Sequence, residues 1–245
     1  MQNKPIQVFY RHCFHSIHQL HPSRQRPSWF NKQKVYENFL RTLNLNLVEY
    51  TVVYDEFFGP IENTFLSNEK NVEIISGGAE ALSFLALINI IQKRNFPPDQ
   101  IIYLLEDDYI HCEGWAEKIL DGFTLPLHYV TLYDPSEKYD YNRYPVGGVL
   151  RMLLSQSNHH WAVFPNTTNT FAVRYQVFQD DLDIQRKYST FTDDERQATA
   201  ASEDVDKWAE LVAKGRLLGC PIPGFSTHAQ EGNLSPGTKW ADKLV

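Results

Sequence analysis

The chain has little cysteine. Three residues, Cys13, Cys112 and Cys220, are spread over 245 positions with no CxxC pair. That excludes a disulfide framework and a zinc ribbon, and the odd count points to a reducing compartment. No stretch approaches eighteen uninterrupted apolar residues, so no membrane-spanning helix is expected. The N-terminus lacks the long apolar core of a secretory signal. Internal repeats and low-complexity tracts are missing, as are GxGxxG and Walker sequences, so the named dinucleotide and P-loop readings fail. What remains is ordinary globular composition, 42% hydrophobic and 22% charged, with enough length to bury a core without staples. A cytoplasmic protein is expected, with a viral or phage protein acting inside its host cell as one version of that.

Charge is distributed unevenly. The net value is −7, yet residues 1–45 carry Lys4, Arg11, Arg24, Arg26, Lys32, Lys34 and Arg41 against the single acid Glu37. Four histidines, His12, His15, His18 and His21, lie in the same segment. An acidic body with a basic N-terminal patch suits an anionic ligand near that patch, although solvated loop residues would look the same.

Strand and helix patterns alternate. Ile6–Tyr10, Leu47–Tyr54 and Val72–Ile75 read as strands, and a helix runs from Ser28 to about Leu43. Gly77 and Gly78 break the chain before a buried helix over Ala79–Arg94, which Pro97 and Pro98 stop. Ile101–Leu105 is the continuous apolar run of a central parallel strand. Later strands are expected at Tyr129–Tyr133, Trp161–Phe164, Thr170–Val173 and Leu217–Cys220. Helices are expected from Tyr175 to about Tyr188 and over Asp204–Lys214, followed by a loop-rich tail. The pattern predicts an α/β fold with a mixed, mostly parallel sheet flanked by helices, in one domain over residues 1–245.

Four local signals carry chemistry. The first is Glu106-Asp107-Asp108, three carboxylates directly after the buried strand. They repel one another unless cations or hydrogen-bond donors compensate, and hard oxygen ligands suit Mg²⁺ or Mn²⁺. A solvated acidic turn ahead of a helix is the plainer reading. The second is SGGAEAL, residues 76–82, a strand-to-helix turn that lets backbone approach a phosphate, or simply a tight turn. The third is Ser202-Glu203-Asp204, either a general base or a helix cap. The fourth is His228 in the tail, a metal ligand if the tail folds back over the acids.

In this order the four signals resemble glycosyltransferases of the GT-A fold, over roughly residues 5–235. The resemblance implies a Rossmann-like nucleotide-diphospho-sugar transferase fold, with residues 1–115 as the nucleotide-sugar half and 116–245 as the acceptor half. It implies a DxD-type motif at Glu106-Asp107-Asp108, with Glu in the first place, where the wider family tolerates it. Asp108 then ligates Mn²⁺ or Mg²⁺, and His228 completes that site. Glu106, Asp107 and Asp55 hold the nucleotide, with Tyr10 and Arg11 in a loop at the end of the first strand (Phe9 to His12) and the Gly77–Gly78 turn nearby. Asp204 matches the catalytic base of an inverting enzyme with a UDP-hexose donor.

A narrower likeness runs through FYRHC, RPSWFNK, EDDYIHCEGW and STHAQEGNLSP. It is to the glycosyltransferases associated with oxygenases that hydroxylate thymine or 5-methylcytosine in DNA, a group that includes the base J glucosyltransferase and phage relatives. It implies a 5-hydroxymethylpyrimidine acceptor such as 5-hydroxymethylcytosine in DNA, with the basic segment meeting phosphates and no membrane partner. Trp115, Tyr141, Tyr144, His159, His160 and Trp161 are then candidates to stack on an extruded base. The alternatives are a GT-A enzyme acting on a polysaccharide or lipid-linked acceptor, a nucleotidyltransferase, and a non-catalytic nucleotide- or nucleic-acid-binding protein. A nucleotidyltransferase would normally show a Gly-rich loop and a Lys near its first strand, and the chain has Arg11 without that loop.

Overall fold

A computed structural model describes residues 4–14, 25–140, 151–190 and 204–245. Tyr141, Tyr144, Ser202 and Glu203 lie outside the described residues, as do Arg24, His15, His18 and His21.

The first half builds a parallel sheet. Strands β1 (Ile6–Cys13), β2 (Val48–Asp55), β3 (Val72–Ile75) and β4 (Ile101–Glu106) stand in the order β3-β2-β1-β4, all parallel. β1 therefore pairs with β2 on one side and β4 on the other, and the strand order switches beside it. In open α/β sheets such a switch opens a crevice at the carboxyl ends of the strands. Registers bring those ends level, with Cys13 opposite Asp55 and Arg11 opposite Glu106.

The alternation of side chains along a strand explains the layers. Ile6, Val8 and Tyr10 of β1 and Tyr103 and Leu105 of β4 face one way. They meet α1 (Lys32–Thr42) through Tyr36 and Phe39, and α3 (Trp115–Gly122) through Trp115 and Ile119. Phe9, Ile102 and Leu104 face the other way, onto α2 (Glu80–Arg94) and its Phe84, Leu87, Ile88 and Ile91. On that second side also lie α4 (Tyr175–Asp180), α5 (Leu182–Lys187) and α6 (Asp204–Ala213), through Phe178, Ile184, Trp208 and Leu211. Covered on both faces, β4 has to be apolar from Ile101 to Leu105, as its sequence is, and turns charged only at its last residue, Glu106.

The second half continues the same sheet. β9 (Phe171–Arg174) pairs antiparallel with β4, followed by β6 (Tyr129–Val130), β10 (Leu218–Ile222), β8 (His160–Val163) and β7 (Arg151–Leu154). The fold is thus mixed α/β, with a nine-stranded, Rossmann-like sheet between helices. A separate two-stranded ladder joins β5 (Tyr109–His111) to β11 (Ser226–His228), with His228 opposite Tyr109. No helix among the described residues is long and apolar enough to cross a membrane.

Several boundaries differ from the sequence expectation. β1 runs on to Cys13, so Phe9–His12 is strand and not loop. The helix expected over residues 175–188 is two short ones, broken at Asp181. That carboxylate is buried and accepts from Tyr129 Oη at 2.8 Å and Arg216 Nε at 2.8 Å, so the chain turns there to aim it inward. Asp107 and Asp108 lead into strand β5 and not into a helix.

Candidate active site

One cavity of about 460 Å³ opens at the carboxyl ends of β1, β2 and β4, within the range of small-ligand sites. Its walls include Arg11, Asp55, Gly78, Glu106, Asp107, Asp108, Asp204 and His228. Four sequence-distant signals therefore share one chamber.

The three carboxylates follow a fully buried strand, and each has its own cation. Glu106 Oε1 meets Arg11 Nη2 at 2.7 Å, while its Oε2 accepts from Thr170 Oγ1 at 3.0 Å. Asp107 Oδ2 meets Lys32 Nζ at 2.7 Å and lies 2.8 Å from His12 Nδ1. The backbone N–H of Cys13 also donates to that oxygen, at 3.2 Å. Asp108 Oδ2 meets Arg26 Nη2 at 2.5 Å and His228 Nε2 at 3.0 Å. Arg11, Arg26 and Lys32 thus belong to the basic excess of the first 45 residues, and all three turn inward.

Electrostatics separates the three acids. Burial pushes Glu106 up to about 7, against the pull of Arg11. Burial would raise Asp107 too, but Lys32 and His12 hold it well below the usual carboxylate range. His228 and Arg26 do the same for Asp108, again against burial. Burial and the Arg11 ion pair thus pull Glu106 in opposite directions, whereas Asp107 and Asp108 stay ionised.

Asp55 braces the glycine turn. Its Oδ1 accepts from the N–H groups of Gly77 at 3.0 Å and Phe57 at 3.2 Å; its Oδ2 accepts from Gly78 N–H at 3.0 Å and from Ser83 Oγ. Gly78 has φ +70° and Gly77 sits so close to helix α2 that a Cβ would fall 2.6 Å from Ser83 N. Both positions therefore require glycine. Gly78 lines the cavity, whereas Gly77 supports it from beneath.

Asp204 begins α6 and lines the same cavity as the acid triplet. Its Oδ1 accepts from Lys207 Nζ at 3.0 Å. Lys207 is itself buried, bonded to Asn169 Oδ1 and lying 5.0 Å from the Phe84 ring centre. The α6 helix is thereby pinned to β9 and α2, and its first residue is held in place.

Tyr10 does not belong to the site. Its ring is in the core, 5.1 Å from Phe39 and 5.2 Å from Tyr36 between centres. Alternation puts Tyr10 on the α1 face together with His12, and it is His12, two residues nearer the end of the strand, that reaches Asp107. Trp115 and Trp161 are likewise wholly buried core residues and cannot stack on an extruded base. Sequence reasoning missed Arg26, Lys32 and His12 as site residues. The signal available was the charge imbalance itself, a basic segment with nothing else to neutralise and an acid triplet in need of cations.

No group of three or more His, Cys, Asp and Glu gathers as a metal cluster among the described residues. Asp108 and His228 do form a pair, and Asp108 Oδ1 is buried at the cavity wall without a hydrogen-bond partner. An orphaned carboxylate oxygen beside an imidazole suits Mn²⁺ or Mg²⁺ as part of a coordination sphere that substrate oxygens complete.

No protein-family model matches the sequence, and no curated protein matches it either. Solved structures do. A CMP:2-keto-3-deoxy-manno-octonic acid synthetase complexed with CTP superposes with a TM-score of 0.50 at 15% identity, over 91% of this chain and 92% of that one. A 4-diphosphocytidyl-2C-methyl-D-erythritol synthase from Anaerococcus prevotii DSM 20548 has a TM-score of 0.49 at 11% identity, over 98% and 93%. The chain therefore shares the Rossmann-like α/β fold of the CTP-complexed synthetase over 91% of its length.

Proposed function

We propose that the protein is a nucleotide-dependent transferase that takes a UDP-hexose into the cavity and passes the hexose to a hydroxyl group by an inverting displacement. Residues 1–245 act as one catalytic unit, the first 115 shaping the nucleotide side and the remainder the acceptor side. The observation that carries the reading is the meeting of Glu106-Asp107-Asp108, the Gly78 turn, Asp204 and His228 in one chamber at the switch point of the sheet.

Each group has a task. The Gly78 turn leads into α2, so backbone N–H groups at that helix start favour a phosphate. Arg11 and Lys32 keep the cavity wall from repelling a diphosphate. Asp204, held by Lys207, accepts the proton of the attacking hydroxyl. Asp108 and His228 would hold Mn²⁺ or Mg²⁺, which when bound neutralises charge on the leaving diphosphate. The acceptor reading, a 5-hydroxymethylpyrimidine in DNA, rests on the sequence resemblance. The inward turn of Arg11, Arg26 and Lys32 removes three of the charges that would otherwise meet DNA phosphates.

A second reading is nucleotidyl transfer, favoured by the likeness to the synthetase complexed with CTP. The two chemistries release different products. The protein is incubated with Mn²⁺ and either UDP-sugars plus duplexes containing 5-hydroxymethylcytosine or 5-hydroxymethyluracil, or CTP plus sugar acids. UDP release with a hexose mass gain on the hydroxymethylated base supports glycosyl transfer. Pyrophosphate release from CTP overturns it in favour of the second reading. Asp108→Asn should abolish whichever activity appears.

A further inference from the structure

The contacts around His228 cannot all be satisfied together. Its Nε2 lies 3.0 Å from Asp108 Oδ2 and 3.3 Å from Arg26 Nη1. A ring nitrogen offers one in-plane site, and a guanidinium can only donate. If Nε2 carries a proton it donates to Asp108 and presents an N–H to Arg26. If it carries a lone pair it accepts from Arg26 and faces the Asp108 oxygen lone pair to lone pair. One of the two contacts is repulsive in either tautomer. Asp108 Oδ1 meanwhile has no partner, although the residue is only 8% exposed. The cation in the middle of this cluster is therefore one that uses the lone pairs around it incompletely.

We infer that Arg26 is an exchangeable counter-cation, which neutralises Asp108 in the metal-free protein and gives up that place to a divalent ion. This rests on the metal assignment made above for Asp108 and His228. A divalent ion accepts electron pairs from Asp108 and from the His228 ring together, so it removes the conflict that the guanidinium leaves. Arg26 is well placed to yield. Its Nη1 also donates to Ala229 O at 2.9 Å, its guanidinium packs 5.0 Å from the Phe30 ring centre, and it already lines the cavity. A planar guanidinium displaced from a carboxylate pairs readily with a phosphate, and the ligand proposed for this cavity brings two.

Exchange makes a prediction opposite to that for an ordinary structural arginine. Removing Arg26 should strengthen metal binding, because the ion no longer competes with a tethered cation. The test is Mn²⁺ titration of the full chain without nucleotide, read from the electron paramagnetic resonance signal of free Mn²⁺. Wild type, Arg26→Gln, Arg26→Lys and Asp108→Asn are compared. Arg26→Gln should bind Mn²⁺ roughly tenfold more tightly or better, since an uncompensated buried carboxylate favours any cation. Arg26→Lys should fall between it and wild type, and Asp108→Asn should not bind. As a second readout, Arg26→Gln should melt below wild type in chelator and recover more than wild type when Mn²⁺ is added. If Asp108→Asn abolishes binding while Arg26→Gln binds no more tightly than wild type, the exchange is refuted and the metal site stands. If neither wild type nor Arg26→Gln binds Mn²⁺, alone or with UDP added, or Asp108→Asn leaves binding unchanged, the metal assignment falls and the exchange with it.

Discussion

Asp55 separates a ligand contact from a structural brace, and Asp55→Asn tests which it is. The carboxylate is 3% exposed and accepts from three backbone N–H groups and one hydroxyl. An asparagine keeps one oxygen. Its better orientation leaves the oxygen with Gly77 and Phe57 and turns the amide toward Gly78 and Ser83. The Ser83 hydroxyl can then accept, but the Gly78 N–H faces another donor. Losing one charge-assisted hydrogen bond and burying an unsatisfied donor costs about 3 kcal/mol. For a chain of this length ~1 kcal/mol corresponds to a shift in Tm of about 2 °C, so a fall of about 6 °C is expected. Thermal unfolding followed by circular dichroism, without nucleotide, measures it. Nucleotide affinity should weaken as well, because the Gly78 turn loses its support. If the ligand-free Tm stays within about 1 °C of wild type while nucleotide affinity collapses, Asp55 touches the ligand directly and the bracing argument is wrong.

Three other outcomes are expected. Asp204→Asn should lower kcat by ~10²-fold or more with little change in nucleotide Kd, as measured by steady-state kinetics and calorimetry. Lys138→Met should destabilise the fold by ~3–5 kcal/mol in urea unfolding, because Lys138 Nζ is the buried partner of Asp134 Oδ1 at 2.6 Å and the aspartate is left charged. Adding Asp134→Asn should restore more than half of that loss. The third concerns acid. His111 is wholly buried beside Tyr103 Oη at 2.9 Å, and burial pushes it down to about 3. The unfolded chain then binds the extra proton between an ordinary histidine pKa and that value. Stability is fully present above pH ~6.5 and declines as pH falls, by up to ~1.4 kcal/mol per unit from this group. Urea unfolding at a series of pH values should show a shallower decline in His111→Gln than in wild type.

The parts of the molecule that could be read from the sequence are those where one local pattern decides the outcome. Ile101–Leu105 is a short apolar run covered on both faces, which has no other stable state, while Val72–Ile75 is a half-exposed edge strand marked by its β-branched residues. The acid triplet and the Gly77–Gly78 turn were likewise visible, because charge repulsion and backbone conformation constrain them locally. β5 was hidden. Tyr109–His111 is three residues long, and its one partner strand among the described residues comes from a tail rich in turns. The buried side chain of Asn38 fixes it as strand, accepting from His111 N–H at 2.8 Å and donating to His111 O at 3.1 Å. Asp55 is legible as an acid at the end of a strand but not as a brace, since its four donors lie up to 28 positions away in sequence. The burial of Tyr10 against α1 is not legible, because Phe39 and Tyr36 that enclose it lie more than 25 positions away in sequence.

The ladder between β5 and β11 has a consequence for the order in which the protein becomes competent. Asp108 and His228 are 120 residues apart in sequence, and three paired residues with the Ala229 N–H donating to Asp108 O at 2.8 Å set their register. Closing so long a loop for so few contacts is unfavourable until the large sheet has already gathered both ends. The ladder therefore has to follow the sheet in folding. A slip of one residue would present Thr227 or Ala229 where His228 belongs. The pairing of those two side chains thus reports that the chain has finished folding, and a partly folded molecule with most of its secondary structure in place would still lack the cavity wall.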